Sequence, residues 1–287
     1  MSIDLHTHST ASDGTLSPRE LIKLAKETGL DAIAITDHDT LQGIPEAMEA
    51  GREFGIEVIP GAELSLESPE GTGWIHVVAL WIPEEAPTLQ KAFDWIQEGR
   101  RNRNHEIVEK LRSLGINITY ESVAARAMGT LGRPHFAQEL LSLGVVSSME
   151  EAFKVWLGDN GRAYVPKRKL TPGQAFPILN ELGATSILAH PFALGRNYAD
   201  TEKIVKDLMT YGMDGMEVYY TEHTDADIKE YKAMAERLGL LISGGSDFHG
   251  SVKPKIRLGK GKGGLHVPTE LLDRMKADRR AKGLPVV

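Results

Sequence analysis

Nine side chains able to hold a metal ion recur along the chain, each at or just beyond the end of a segment that reads as a β-strand. They are His6, His8 and Asp13, then His38, Glu63, His76, His190, Asp247 and His249. One such residue at a strand end constrains little. Nine of them across 287 residues point to a fold that gathers many strand ends on one face. An α/β barrel does this, and its reactive groups sit at the C-terminal ends of its strands. Imidazole and carboxylate together suit Zn, Mn and Fe. Nine donors exceed the roughly four to six that one ion takes, so the pattern implies two or three clustered divalent ions.

The order of strand and helix signals fits a barrel. The first strand reads as 3–8. Ser17, Pro18 and Glu20 predict a capped helix over 18–28, stopped by Gly29. AIAIT at 32–36 is a buried strand that delivers Asp37 and His38. Further strands read as 56–59 before Glu63, 74–81 carrying His76, 186–189 before His190, 216–220, and 240–243 before Asp247. About seven strands with helices between them predict a parallel barrel. The stretch 89–164 breaks the alternation and reads as helices over 89–114, 120–127, 135–143 and 148–157. The expected domains are therefore a barrel from 1–88 and 165–287 and a helical insertion, 89–164, folded over its mouth as a substrate lid. A charged helix over 273–282 reads as solvated.

Composition excludes several classes. The chain has no Cys, so disulfides, thiolate ligands and a Cys nucleophile are out. Its net charge of −7 argues against coating duplex nucleic acid, which favours basic proteins. No apolar run approaches the ~20 residues of a membrane span. A candidate metal residue at position 6 leaves no room for a signal peptide, so the expected location is the cytoplasm.

In His6-x-His8, alternate residues of an extended segment share a face, and two adjacent imidazoles can chelate one ion. His38 has the parity of Ala34 and Thr36, whereas Asp37 points the other way and is expected to orient a ligand. Glu63 follows a Pro-Gly turn as a candidate bridge between ions. Asp247 and His249 repeat the alternate spacing.

These motifs stand as HTHSTASD (6–13), TDHD (36–39), PGAE (60–63), IHVVAL (75–80), LAHP (188–191) and GSDFHG (246–250). Together they resemble the polymerase and histidinol phosphatase (PHP) family over essentially the whole chain. The resemblance implies a distorted seven-stranded (β/α)7 barrel, a site of two or three metals, and hydrolysis of phosphate esters. It also implies that His6, His8, Glu63 and Asp247 hold one ion and that Glu63, His76 and His190 hold a second. Asp13, His38 and His249 would complete the sites. The metals would bind phosphate oxygens, acidify a water and stabilise the leaving oxygen. Asp247, His190 or a metal-bound water would then protonate the leaving group.

The insertion narrows the substrate. Arg133 suits a two-pronged phosphate contact, and His135 lies near a predicted helix N-terminus, where anions bind. Lys167 and Arg168 follow where the insertion returns. GRPH (132–135) followed by AYVP (163–166) resembles the PHP subgroup that removes the 3′-phosphate of nucleoside 3′,5′-bisphosphates or trims short 5′-phosphorylated oligonucleotides. That resemblance implies that Arg133 and His135 grip the phosphate, and His223 is a candidate to line the same pocket. Arg100, Arg101 and Arg103 read as a solvated helical face. The expected partner is a small phosphorylated nucleotide or short oligonucleotide. Histidinol-phosphate phosphatase, an exonuclease module, and a noncatalytic metal-stabilised binding module are the competing readings.

Overall fold

A computed structural model describes residues 2–127 and 131–286. Seven strands form one sheet in chain order: β1 Ile3–Asp4, β2 Ala32–Ile35, β3 Glu57–Leu66, β4 Ile75–Leu80, β5 Thr185–Leu188, β6 Gly215–Tyr220 and β7 Leu241–Gly245. Backbone hydrogen bonds join the two ends of the sheet. Leu5 N donates to the Gly244 carbonyl at 3.1 Å and His8 N to that of Phe248 at 2.9 Å. The result is a nearly closed barrel, as the sequence predicts.

Two helices on the barrel show how the local sequence sets the elements. Helix α1, Pro18–Glu27, opens with a reciprocal cap between Ser17 and Glu20, as the S-x-x-E spacing requires. It buries Leu21, Ile22 and Ala25. Helix α2, Ile44–Phe54, buries Ala47 and Ala50 in the same cluster as Ile33 and Ile35 of β2. Burial of such side chains is worth about 1.5–3 kcal/mol each for the larger aliphatics.

Not all strands are parallel. Strand β4 pairs antiparallel with β3 and with β5. This corrects the expectation of an all-parallel barrel, and it explains His76. In a parallel strand, a residue second from the N-terminal end would lie at the foot of the barrel. Because β4 is reversed, His76 pairs with Ser65 near the end of β3, and its carbonyl accepts from Ala189 N just past β5. Reversal thus brings His76 to the end of the barrel that carries Glu63 and His190.

The chain divides into two compact units, Met1–Gln90 with Leu170–Val287, and Lys91–Lys169. Helix α3, Pro87–Ser113, leads into the second unit. There α4 Tyr120–Ala124, α5 Arg133–Ser142 and α6 Met149–Glu151 follow. This unit has its own core, including Ile107, Leu111, Phe136, Leu140, Trp156 and Leu157. Arg103 departs from the solvated face expected of it. It is buried, and its Nε donates to the Val165 carbonyl at 2.7 Å.

In the barrel unit, α7 Pro172–Glu181, α8 Tyr198–Thr210 and α9 Asp225–Leu238 alternate with the later strands. The last helix, α10 Thr269–Ala281, also differs from the solvated expectation. It buries Leu271, Leu272 and Met275. Its Arg279 lies under the Trp81 ring at 4.7 Å and donates to the Gly183 carbonyl and to Thr185. An arginine in a run of charges reads as exposed, but these carbonyls and an aromatic face satisfy it in the interior.

Candidate metal centre

Glu63 is the hub of the barrel end. Its Oε2 lies 3.3 Å from His6 Nε2, 3.3 Å from His8 Nε2 and 3.0 Å from His38 Nδ1. Its Oε1 lies 2.8 Å from His76 Nδ1 and 3.0 Å from His190 Nε2. Asp247 Oδ1 sits 3.2 Å from His8 Nε2 and 3.3 Å from His249 Nδ1. Asp13 closes the far side, 3.3 Å from His249 Nε2 and 3.9 Å from His38 Nε2. All nine residues singled out in the sequence therefore converge on one continuous cluster.

Within it, four overlapping groups offer donor atoms no more than 4.8 Å apart. They are His8, Asp13, His38 and His249; His6, Glu63 and His190; His6, His8 and Asp247; and His38, Glu63 and His76. The donor set fits cations on a second ground. His6 Nε2, both ring nitrogens of His8, His38 Nδ1, His190 Nδ1 and Glu63 Oε2 are buried without a hydrogen-bond partner among the described residues. Their approaches to one another are short but badly aligned for N–H···O bonds. Buried polar atoms left this way cost about 1–3 kcal/mol each. Imidazole nitrogens and carboxylate oxygens lining a shared space are satisfied together by divalent cations.

The protonation states carry the same imprint. Burial opposes charge on His8, but Asp247 and Glu63 outweigh it and hold the imidazole up at about 9. Burial likewise opposes charge on His6, and Glu217 and Glu63 raise it well above its ordinary value. Burial works to neutralise Glu63, yet the surrounding imidazoles keep it well below the carboxylate range. Asp247 is depressed in the same way against its burial. His76 is pushed down to about 4, chiefly by burial.

Several side chains brace this cluster. His6 Nδ1 meets Glu217 Oε1 at 3.2 Å, and Glu217 Oε2 accepts from His190 N at 2.8 Å. Tyr220 Oη and Lys253 Nζ donate to Asp247 Oδ2 at 2.9 and 2.7 Å. Glu217, Tyr220 and Lys253 escaped the sequence reading. Strand periodicity cannot put Glu217 and Tyr220 on one face, because they are three residues apart. An irregularity between Glu217 and Tyr219 shifts the register of β6 against β7 and realigns them. Asp37, expected to orient a ligand, bonds instead to the serines of a neighbouring loop. It accepts from Ser9 N at 2.8 Å, Ser9 Oγ at 2.7 Å and Ser12 Oγ at 2.6 Å, which fixes the loop that carries Asp13.

Two backbone features hold the cluster in place. His190 and Asp247 have φ of 29° and 55°, in a region that costs most residues about 1–3 kcal/mol. Such strain persists only where the surroundings impose it, and here it falls on two of the converging residues. Gly245 in β7 permits close approach. A Cβ there would lie 2.3 Å from that of His6, so only glycine lets the first strand seat its histidine.

The residues expected to meet substrate are distributed differently. Arg133 begins α5, and its Nη1 donates to the Leu157 carbonyl at 3.2 Å and to Asp159 at 3.3 Å. His135 Nδ1 accepts from Gly132 N at 3.1 Å and so caps the same helix. Arg168 lies over the Trp95 ring at 5.4 Å. Lys167 belongs to the same unit. His223 is in the barrel unit, where Nδ1 donates to the Val218 carbonyl at 2.8 Å and the ring meets Tyr220 edge-on. Nε2 of His223 is buried without a hydrogen-bond partner among the described residues.

The family model for the PHP domain matches residues 4–147. A 5′-3′ exoribonuclease of Haemophilus influenzae is 37% identical over 246 residues, covering 86% of this chain and 89% of the relative. A 3′,5′-nucleoside bisphosphate phosphatase of Chromobacterium violaceum is 32% identical over 252 residues, covering 86% and 87%. A crystal structure described as a metal-dependent phosphoesterase from Bifidobacterium adolescentis superposes with a TM-score of 0.80 at 28% identity, covering 96% of this chain and 95% of that one. Motifs, barrel and relatives agree, and the chain belongs to the PHP-domain family of phosphoesterases.

Proposed function

We propose that this enzyme removes the 3′-phosphate of nucleoside 3′,5′-bisphosphates and trims short 5′-phosphorylated oligonucleotides, using two or three divalent ions drawn from Mn, Fe and Zn. The observation that carries the reading is Glu63, a buried carboxylate approached by five imidazoles with no aligned hydrogen bond to spare for Oε2. Two relatives that align along most of the chain act, by their names, on nucleoside bisphosphates and on RNA ends. When bound, the ions supply positive charge to phosphate oxygens and to the leaving oxygen, and they acidify water.

The chain's own groups would do the rest. His6, His8, Asp13, His38, Glu63, His76, His190, Asp247 and His249 hold the ions. Glu217 fixes the ring of His6 so that Nε2 faces the cluster. His190 and Asp247 are the two groups proposed to pass a proton to the leaving alkoxide. Arg133 and His135 at the start of α5, with Lys167 and Arg168, are the groups proposed to take the substrate's second phosphate. His223 is proposed to contact substrate from the barrel. The net negative charge of the chain suits a small substrate better than duplex nucleic acid.

The test is a side-by-side assay with Mn, Fe and Zn that reads inorganic phosphate released from the monoesters and mononucleotides released from the oligonucleotides and duplex DNA. Its substrates are nucleoside 3′,5′-bisphosphates, 5′-monophosphates, short 5′-phosphorylated oligonucleotides, duplex DNA and histidinol phosphate. The first and third should give the highest kcat/KM. A higher kcat/KM on histidinol phosphate or duplex DNA would overturn the nucleotide reading.

A further inference from the structure

Two large aromatic side chains stand exposed next to the donor cluster. Trp74 is 61% exposed and Phe192 40%. Trp74 lies two residues before His76 and its ring is parallel to the His76 imidazole, 14° apart in plane and 6.3 Å between centroids. Phe192 lies two residues after His190 and stacks on Tyr220 at 5.7 Å, while Tyr220 itself holds Asp247. The segments bearing them are joined through their backbones. Gly73 N donates to the Leu194 carbonyl at 2.9 Å and Trp74 N to that of Ala193 at 3.0 Å. A Cβ on Gly73 would sit 2.0 Å from the Ala193 oxygen, so glycine is required for this seam. The pairing ties the two segments together, and each exposed ring neighbours a ring at the donor cluster, Trp74 that of His76 and Phe192 that of Tyr220.

A tryptophan 61% exposed contributes little to the core. Its position instead suits an aromatic ligand whose other end reaches the ions. Phosphate recognition alone needs no such surface, and a sugar phosphate without a base offers it nothing flat to hold. A nucleotide joins a phosphate to a π-face. Stacking of that kind tolerates any base, because every base has one.

We propose that Trp74, with Phe192 beside it, forms the stacking platform for the nucleobase next to the scissile phosphate. This rests on the nucleotide reading above and adds that the enzyme selects base-bearing phosphates over base-free ones without reading base identity. Trp74 is then a specificity residue, and the substrate class is any nucleoside phosphate small enough to lie across the rim.

The experiment compares adenosine 3′,5′-bisphosphate, its uridine counterpart and base-free ribose 3,5-bisphosphate on the wild type, Trp74→Ala, Trp74→Phe and Phe192→Ala. Trp74→Ala should raise KM for both nucleotides by about tenfold or more, the scale of one lost base–aromatic stack. The base-free substrate should change by less than about twofold, and Trp74→Phe should restore most of the loss. Phe192→Ala should follow with a smaller change of the same kind. A second readout avoids turnover: metal-loaded wild type should lose tryptophan fluorescence on titration with the product adenosine 5′-monophosphate, Trp74→Ala should not, and an equal loss in both would overturn the proposal. Equal losses on base-bearing and base-free substrates would assign Trp74 a structural role and overturn the proposal. Unchanged kinetics in Trp74→Ala with an active wild type would overturn it while leaving the nucleotide reading intact. A wild type that turns over the base-free compound but neither nucleotide would overturn both.

Discussion

The barrel end and the helical insertion hold their charged groups in opposite ways. At the barrel end, nine donors are packed against one another, mostly buried, and several ring nitrogens have no hydrogen-bond partner among the described residues. In the insertion, Arg133, His135 and Arg168 each have a partner from their own unit: a carbonyl and Asp159, a helix-capping amide, and the face of Trp95. The first arrangement is costly unless something external completes it. The second is complete as it stands. A site of the first kind declares its ligand through its unmet needs, and a site of the second kind can bind only by exchanging one partner for another. Metal binding should accordingly be intolerant of change at the barrel end, whereas contact with substrate phosphate through the insertion should be graded.

The largest effect should come from the hub. Glu63→Gln removes the one charge shared by five imidazoles and leaves them facing a neutral amide. We expect metal content to fall by at least one ion per chain and turnover to drop by more than about a hundredfold, beyond the range typical of outer-shell changes. Circular dichroism should show the barrel retained. Elemental analysis and phosphate release check this; a full complement of metal with normal turnover would break the contrast between the two regions. His8→Ala should behave alike, since His8 belongs to two of the donor groups.

Glu217→Gln comes next. The amide keeps a hydrogen bond to His190 N but loses the charge that orients His6. Metal affinity should weaken by about 10–100-fold, read by competition with a chelator, while kcat at saturating metal falls much less. If affinity is unaffected, His6 is positioned by packing against Gly245 alone.

Arg133→Ala tests the other region. Loss of a desolvated charge pair costs about 2–5 kcal/mol, and a side chain 28% exposed belongs at the lower end. The expected loss in kcat/KM is therefore about 30-fold, with metal content unchanged. Lysine should rescue it only in part, because a point charge lacks the two-pronged geometry. Asp159→Ala sharpens the comparison. If Asp159 competes with substrate for Arg133, its removal should lower KM modestly. Metal loss in Arg133→Ala would place this arginine in the support of the metal centre instead.

How much of this was legible in sequence depends on the physics of each feature. The donors were, because short motifs such as HTH and GSDFHG carry their geometry locally. The cap of α1 was, since Ser17 and Glu20 need only one turn of helix to meet. The reversal of β4 was not: a six-residue apolar strand reads the same in either direction, and pairing with β3 and β5 decides it. Glu217 and Tyr220 were hidden by a register shift that breaks the period of two. Arg103 and Arg279 were hidden by their charge, since long-range carbonyls and a tryptophan face accommodate them in the interior.

The smallest expected effect is on stability against pH, and it separates the metal-free from the metal-loaded barrel. In the metal-free chain His8 is raised from its ordinary value to about 9 by Asp247 and Glu63 against the cost of burial. A raised imidazole contributes stability that is fully present below about 6.5 and lost as pH climbs through about 9. Glu63 and Asp247 are depressed, so their contribution is present above about 4 and lost as pH falls through their lower folded values. His76, pushed down to about 4 by burial, loses stability as pH falls below about 6.5, so the metal-free protein should be most stable at about pH 6.5, and its Tm should fall by a few degrees between pH 6.5 and 9.5. Metal binding needs neutral imidazoles and releases protons, so the Tm gained on adding Mn should grow over that same interval. Scanning calorimetry at matched ionic strength reads both trends. A metal-free Tm that rises from pH 6.5 to 9.5 would mean that the imidazoles are already neutral, and that the cluster at the barrel end is held together by packing and not by the charges of Glu63 and Asp247.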